Sequence, residues 1–362
     1  MSDNVRTVLE VKDLDLSFHM KGRDVHAIRG VSFPLRENEI LAIVGESGSG
    51  KSISAKTIMG ILPENAQINT GEVIYHGRGS ADPLKGDLLK HDFRWRQKNV
   101  NGTRIAMVFQ DPMTSLNPVV RIGDQISMII RSHENVSKQE AYSRGVDLLR
   151  EVGITDPQRT MGQFPHQLSG GMRQRVVIAI ALSCDPDILI CDEPTTALDV
   201  TIQEKILRLI QKIQQARGLS VIFITHNMGV VSKIADFVAV MYAGKIVEIG
   251  TVVDMFYDPV HPYTWGLLCA VPDVNEKADE LYTIPGTPPD LSKEIAGDPF
   301  APRNPYALKK DLISEPPLFK ISDTHYAATW LADENAPKVE KPKLLQEKIE
   351  RMKQEGRAYV NS

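Results

Sequence analysis

Ile40-Leu41-Ala42-Ile43-Val44-Gly45-Glu46-Ser47-Gly48-Ser49-Gly50-Lys51-Ser52 joins an apolar run to a glycine-rich turn, and a helix-like segment begins at Lys51. Its last eight residues fit G-x-x-x-x-G-K-[ST], the pattern of a loop that cradles phosphate. The chemistry requires these residue types. Glycines let successive backbone N–H groups converge on phosphate oxygens in conformations that a Cβ resists. The Lys51 ammonium can then reach β- and γ-phosphates, and the Ser52 hydroxyl can ligate Mg²⁺. The following helix directs its positive end at the anion. In a chain of this length a chance match has odds of about one or two in a hundred. Gly45, Glu46, Ser47, Gly48, Ser49, Gly50, Lys51 and Ser52 are therefore expected to bind a nucleotide.

Outward from this loop, short apolar runs alternate with helical stretches between about residues 7 and 250. Strands are expected at 39–44, 104–109, 187–191, 220–225, 237–241 and 245–249, and helices at 51–61, 171–181 and 202–216. Ile188-Leu189-Ile190 and Val221-Ile222-Phe223-Ile224 lack polar alternation, the pattern of parallel strands covered by helices on both faces. Residues 119–156 read as helices alone, at 122–131 and 138–152, so a helical insertion interrupts the sheet. Beyond Gly250 prolines crowd positions 259–317, and 336–362 is rich in Lys and Glu. The reading is an irregular extension over 251–335 packed on the core, then a polar tail. Within that tail Leu345, Ile349 and Met352 stand at helical spacing. No repeat of 20–50 residues is present.

Composition sets the outer bounds. With 362 residues, 42% hydrophobic and 24% charged, the chain can bury a substantial core, which excludes disorder as its dominant state. Lys+Arg 42 against Asp+Glu 46 leaves a net charge of −4, no general case for gripping nucleic acid or an anionic membrane. No apolar run approaches the roughly 18–20 residues that span a bilayer. The opening Met1-Ser2-Asp3-Asn4-Val5-Arg6 lacks the layout of a secretory signal. Cys184, Cys191 and Cys269 form no CxxC pair, which argues against a disulfide framework and a structural zinc site. An intracellular chain is expected.

Ile188-Leu189-Ile190-Cys191-Asp192-Glu193 is an apolar run ending in two carboxylates. At a strand's carboxyl end Asp192 suits a Mg²⁺ site held through water, and Glu193 could polarise a water for in-line attack on a γ-phosphate. Gln110 and His226 follow two further strands. A lone Gln or His in such a place is more often structural. Recurrence at the carboxyl ends of neighbouring strands, where open α/β sheets bind ligands, makes them candidates. A second glycine motif, Leu168-Ser169-Gly170-Gly171-Met172-Arg173-Gln174-Arg175, opens an apolar helix with Ser169 as its N-cap. Its exposed N–H groups offer a second anion site. One chain cannot easily direct both sites at one γ-phosphate, whereas a head-to-tail pair can.

Together these residues resemble the ATP-binding subunits of ABC transporters. Residues 45–52 match Walker A, Gln110 the Q-loop, 168–174 the signature, Asp192-Glu193 Walker B, Ala197-Leu198-Asp199 the D-loop and His226 the switch histidine. The stretch 109–118 (Phe109-Gln110-Asp111-Pro112-Met113-Thr114-Ser115-Leu116-Asn117-Pro118) narrows the likeness to the oligopeptide/dipeptide importer group. So do Phe164-Pro165-His166-Gln167, His261-Pro262-Tyr263-Thr264 and Ile284-Pro285-Gly286-Thr287-Pro288-Pro289.

The resemblance implies an α/β fold: a P-loop NTPase ABC cassette with a RecA-like parallel-sheet core, an N-terminal β subdomain, a helical insertion and an irregular C-terminal extension. The nucleotide-binding domain would be 1–250 with its insertion about 118–175, the extension 251–335, and the charged tail 336–362. The implied activity is ATP hydrolysis, with ATP and Mg²⁺, powering an importer of oligopeptides. Glu193, His226 and Gln110 would be catalytic, and Ser52, Gln110 and Asp192 would hold the metal. Ser169, Gly170, Gly171 and Asp199 would meet the nucleotide of a partner. Adenine would stack on an N-terminal aromatic, with Phe18 the candidate, although a buried strand position explains a Phe there equally well.

The implied assembly holds a second, OppF-like ATP-binding subunit, two transmembrane permease subunits and an extracellular peptide-binding protein. This chain would sit at the cytoplasmic face of the membrane. The surface near 113–118 would receive a short helix from a permease. Related subunits carry a C-terminal cysteine cluster for an iron–sulfur centre, but here Asp298 and Asn304 replace thiols, so no such centre is expected. Met172 and Thr196 are mild departures from the wider family. An importer of dipeptides, nickel chelates, glutathione or cationic peptides stays open, as does a non-transport ABC ATPase.

Overall fold

The runs without polar alternation form the middle of one sheet. The computed structural model describes residues 6–77, 79, 82–196, 198–272 and 282–354. In it β3 (Ile40–Val44), β6 (Ile105–Val108), β7 (Ile188–Asp192), β8 (Ser220–Thr225) and β9 (Phe237–Tyr242) are buried at every residue. Four parallel pairings link them in the order β9-β3-β8-β7-β6. Their side chains divide by parity. Leu189, Cys191, Val221 and Phe223 enter one core, and Ile188, Ile190, Ile222 and Ile224 enter the opposite one. Burial of both faces is why these strands lack the alternation of a half-wet sheet.

Beyond β9 the sheet turns antiparallel. β10 (Lys245–Thr251) pairs with β9, and β12 (Tyr326–Ala327) and β11 (Phe319–Lys320) follow, giving eight strands. The C-terminal extension thus supplies the last two. It also carries α10 (Val252–Tyr257) and α11 (Pro262–Cys269) and is otherwise largely irregular. The tail helix α12 (Lys343–Gln354) docks through buried Leu345 and Ile349. Lys348 Nζ donates to the carbonyls of Cys269 and Val271, at 3.1 and 2.7 Å, where α11 ends. A cation there complements the negative end of the helix.

A second, antiparallel sheet runs β2-β1-β4-β5, from β1 (Thr7–Met20), β2 (Arg23–Arg36), β4 (Ala66–Tyr75) and β5 (Gly86–Asp87). None of its strands stands out in the apolar-run reading. Their apolar residues alternate with polar ones, and a register shift between Val11 and Leu14, with Asp13 at φ 41°, breaks the period. Leu9, Leu14, Leu16, Ile28 and Leu35 are fully buried against α1 (Lys51–Met59) and one face of the main sheet. α2 (Phe93–Asn99) lies between β5 and β6 in the chain.

The opposite face carries the helices. α3 (Pro112–Ser115), α4 (Ile122–His133), α5 (Lys138–Glu151) and α6 (Pro157–Met161) form the insertion ahead of α7 (Gly170–Ala181). α8 (Val200–Arg217) and α9 (Met228–Ile234) complete the layer. Among the described residues no helix is long and apolar enough to cross a membrane.

Candidate nucleotide site

The loop from β3 to α1 is shaped by two glycines that nothing larger could replace. A Cβ on Gly45 would lie 2.1 Å from the Met241 carbonyl oxygen of β9. Gly50 sits at φ 105°, where a side chain would also strike Met241 and Ile28. Gly50 is the N-cap of α1 and supplies no side-chain cap, so the first N–H groups of the helix stay open to the loop. Lys51 is buried, and its Nζ donates to the carbonyls of Gly45 at 2.8 Å and Glu46 at 2.9 Å. Burial pulls its pKa down, while the carboxylates of Glu193, Asp192 and Glu46 work against the shift.

Three strand ends meet this loop. The Ser52 hydroxyl donates to Asp192 Oδ1 at 2.7 Å. Burial raises the Asp192 pKa against that hydrogen bond. Glu193 follows at φ 46°, a left-handed conformation unusual for a residue with a side chain. That turn aims its carboxylate into a hub. Gln110 Nε2 donates at 3.2 Å and Thr196 Oγ1 at 2.8 Å to Oε2, and His226 Nδ1 lies 3.2 Å from Oε1. Burial works to raise the Glu193 pKa, but the bonds to Thr196 and His226 outweigh it, and the carboxyl is held below its ordinary value. Such a group is ionised at neutral pH and can accept a proton or polarise a water.

A cleft of about 890 Å³ opens over these groups. Glu46, Ser47, Gly48, Gly50, Lys51, Ser52, Gln110, Glu193 and His226 line it, and Phe18, Val25 and Ala27 form its β-sheet wall. Phe18 thus lines the cleft, where a flat ring could stack on it. Gly45, Ser49 and Asp192 lie buried beneath the lining. Ser52 and Asp192 present hard oxygen donors side by side. Mg²⁺ keeps several waters and takes one or two protein ligands plus phosphate oxygens, so this small set fits it.

The second glycine motif lies apart. Ser169 Oγ accepts from Met172 N at 3.3 Å, capping α7, and a Cβ on Gly171 would meet Ile202 of α8 at 2.8 Å. Asp199 caps α8 through Ile202 N at 3.0 Å. Ser169, Gly170, Gly171 and Asp199 are absent from the cleft lining of their own chain. Ala197 lies outside the described residues.

Sequence reasoning left several wall residues without a role. Leu267, Pro288 and Leu291 of the extension line the cleft. Arg303 grips the Glu46 carboxylate, with Nη1 to Oε2 at 2.6 Å and Nη2 to Oε1 at 3.0 Å. Tyr263 OH accepts from Glu46 N at 2.8 Å. Tyr263 and Pro288 lie in segments that mark the importer group, but nothing in the order of these residues points back to the loop. Asp298 and Asn304 cap turns, accepting from Phe300 N at 3.0 Å and Tyr306 N at 2.9 Å. A carboxylate and an amide so engaged do not fit a thiolate-ligated cluster.

The ABC transporter family matches residues 28–196, and the family described as oligopeptide/dipeptide transporter, C-terminal region, matches 247–310. The oligopeptide transport ATP-binding protein OppD of Bacillus subtilis (strain 168) is 52% identical over 350 residues, 96% of this chain and 95% of that protein. The dipeptide transport ATP-binding protein DppD of Lactococcus lactis subsp. cremoris (strain MG1363) is 53% identical over 333 residues, 92% of this chain and 93% of that one. Among solved structures, a dimeric ATP-binding cassette in a post-hydrolysis state with ADP and Pi superposes with TM-score 0.58 at 27% identity. It covers 67% of this chain and 98% of the cassette.

Proposed function

We propose residue roles from one premise: this chain belongs to the ABC transporter family, as an ATP-binding protein of the oligopeptide/dipeptide importer type. It binds and hydrolyses ATP, and that hydrolysis powers a peptide importer working with membrane permeases. The observation that carries the roles is the convergence of Gln110, Glu193 and His226 beside Lys51 and Ser52 in one cleft.

Backbone N–H groups from Gly45 to Ser52 cradle the triphosphate. The Lys51 ammonium leaves its carbonyl partners for β- and γ-phosphate oxygens. Ser52, Gln110 and Asp192 would hold Mg²⁺, which would neutralise charge growing between the phosphates. Glu193 orients and polarises the attacking water. Its left-handed backbone and the bonds from Thr196 and Gln110 fix the carboxylate. His226 bridges Glu193 toward the γ-phosphate position, and Phe18 stacks on adenine.

Ser169, Gly170, Gly171 and Asp199 serve the nucleotide of an opposing OppF-like subunit, since a monomer leaves them away from its own cleft. In this reading 1–250 is the nucleotide-binding domain, with the insertion at about 118–175 meeting the permeases. Residues 251–335 and 336–362 are the extension and tail. The chain lies at the cytoplasmic face as a peripheral subunit, and an extracellular peptide-binding protein delivers cargo. Relatives named for oligopeptide and for dipeptide transport match at 52% and 53% identity, so the cargo read here is peptide as a class.

The test is reconstitution with its permeases and second ATP-binding subunit in liposomes. Peptide-loaded binding protein should raise ATP turnover, and peptide should accumulate only with ATP. ATP turnover that is indifferent to every peptide would overturn the importer role.

A further inference from the structure

The phosphate loop is held from outside by the C-terminal extension. Arg303 has a side chain only 4% exposed. Its guanidinium makes five bonds: two to the Glu46 carboxylate, Nε to the Pro285 carbonyl at 2.8 Å, Nη2 to the Ile284 carbonyl at 3.4 Å, and Nη1 to Tyr242 OH at 3.3 Å. A guanidinium offers five N–H donors in a rigid fork, and these bonds engage all three of its nitrogens. It also stands 5.7 Å from the centre of the Tyr242 ring and 6.0 Å from that of Phe300. The Tyr263 ring packs on both, at 4.7 and 5.3 Å, and its hydroxyl takes the Glu46 N–H.

Glu46 is therefore fixed at three points. Arg303 holds its side chain and Tyr263 its N–H, while its carbonyl accepts from Lys51 Nζ at 2.9 Å and Ser49 N at 3.3 Å. Two of the four groups on Glu46 come from the extension and two from the loop. The segment that gives Arg303 its carbonyl partners continues to Pro288 and Leu291 in the cleft wall, and the Leu291 carbonyl accepts from His26 N at 2.9 Å.

We propose that Arg303, acting through Glu46 and with Tyr263, is a positioning residue that sets the phosphate loop for nucleotide and so controls ATP affinity from the extension. The inference rests on the reading of Gly45–Ser52 as the ATP cradle. A loop already held in its binding shape has less ordering left to do when the phosphates arrive, which is preorganisation. Arg303 is absent from the cleft lining and reaches it only through Glu46, so its effect belongs to binding and not to the chemical step.

Calorimetry of ATP and ADP binding to the full chain tests it. Arg303→Ala and Glu46→Gln should each weaken ATP about tenfold, the loss expected of one charge-assisted, partly buried pair. Arg303→Lys should recover part of that loss, because an ammonium can satisfy one carboxylate oxygen but not both. Glu46→Gln combined with Arg303→Ala should bind no more weakly than Arg303→Ala alone, since both act through one contact. In the assembled transporter, Arg303→Ala should leave turnover at saturating ATP within about twofold of wild type while KM rises. Should Arg303→Ala fail to fold, Arg303→Lys and Glu46→Gln carry the test. ATP affinity unchanged in the folded variants, or turnover lost with affinity unchanged, would overturn the inference alone. Failure of the wild-type chain to bind ATP would overturn the cradle reading with it.

Discussion

Glu193 and His226 face each other across the ends of β7 and β8, with His226 Nδ1 3.2 Å from Glu193 Oε1. The contact needs the left-handed backbone at Glu193, which turns the carboxylate out of the strand direction and toward the cleft. A carboxylate already bonded by Thr196 and Gln110 costs little to hold in place when a water arrives. The group is kept ionised, as a proton acceptor in this position must be.

Glu193→Gln is accordingly expected to separate binding from turnover. The amide keeps the size and part of the hydrogen bonding but cannot take a proton, so hydrolysis should fall by about a hundredfold to ten-thousandfold. ATP affinity should hold within about threefold, since the cradle is untouched. Single-turnover hydrolysis and calorimetry on the same preparation check this, and near wild-type turnover would remove Glu193 from the role.

Lys51→Ala should act on binding first. The ammonium is buried and fastened to the Gly45 and Glu46 carbonyls, so its removal takes away the charge and leaves two carbonyls turned into the phosphate site. A loss of ATP affinity of about tenfold to a hundredfold is expected, the range of a charge-assisted contact. Calorimetry reads it directly. Equal affinity would mean that the lysine does not meet the phosphates.

What could be read in the order of residues, and what could not, divides by distance along the chain. The cradle is eight consecutive residues whose types are dictated by one ligand, and Asp192-Glu193 announces itself as acids closing an apolar run. Gln110 and His226 became candidates only by analogy of position, and the fold brings both onto Glu193. Arg303 and Glu46 are 257 positions apart, and a single ion pair leaves no periodic trace. β1 and β2 were hidden for another reason: bulges at Asp13 and beyond break the alternation that marks a half-buried strand. In the tail, Leu345 and Ile349 stood at helical spacing, but only α11 shows what they pack on.

Leu345→Ala should destabilise the folded chain although Leu345 does not line the cleft. Leu345 is fully buried in the cluster formed with α10, α11 and β9, so the substitution loses contacts and leaves a cavity. The expected cost is about 2–4 kcal/mol. Denaturant unfolding measures it; a loss under about 0.5 kcal/mol would fit a surface residue and show that the tail helix does not dock.

Asp298→Asn should change how stability responds to pH. Asp298 is buried, and burial together with the nearby Asp311 and Glu315 pushes its pKa up to about 6, against the Phe300 N–H bond and Arg29. In the unfolded chain the same carboxyl titrates near the ordinary carboxylate value of 3.8. Between those values the folded state binds the extra proton, so this group makes the protein less stable as pH rises from about 4 to about 6. Above that window the full penalty applies, of the order of 3 kcal/mol. Asparagine keeps an oxygen for the Phe300 N–H and carries no charge, so the variant should lose that part of the pH dependence and gain on wild type as pH rises. Thermal melts across the window decide it. Parallel curves for the two proteins would show that Asp298 is ionised at no cost in the fold.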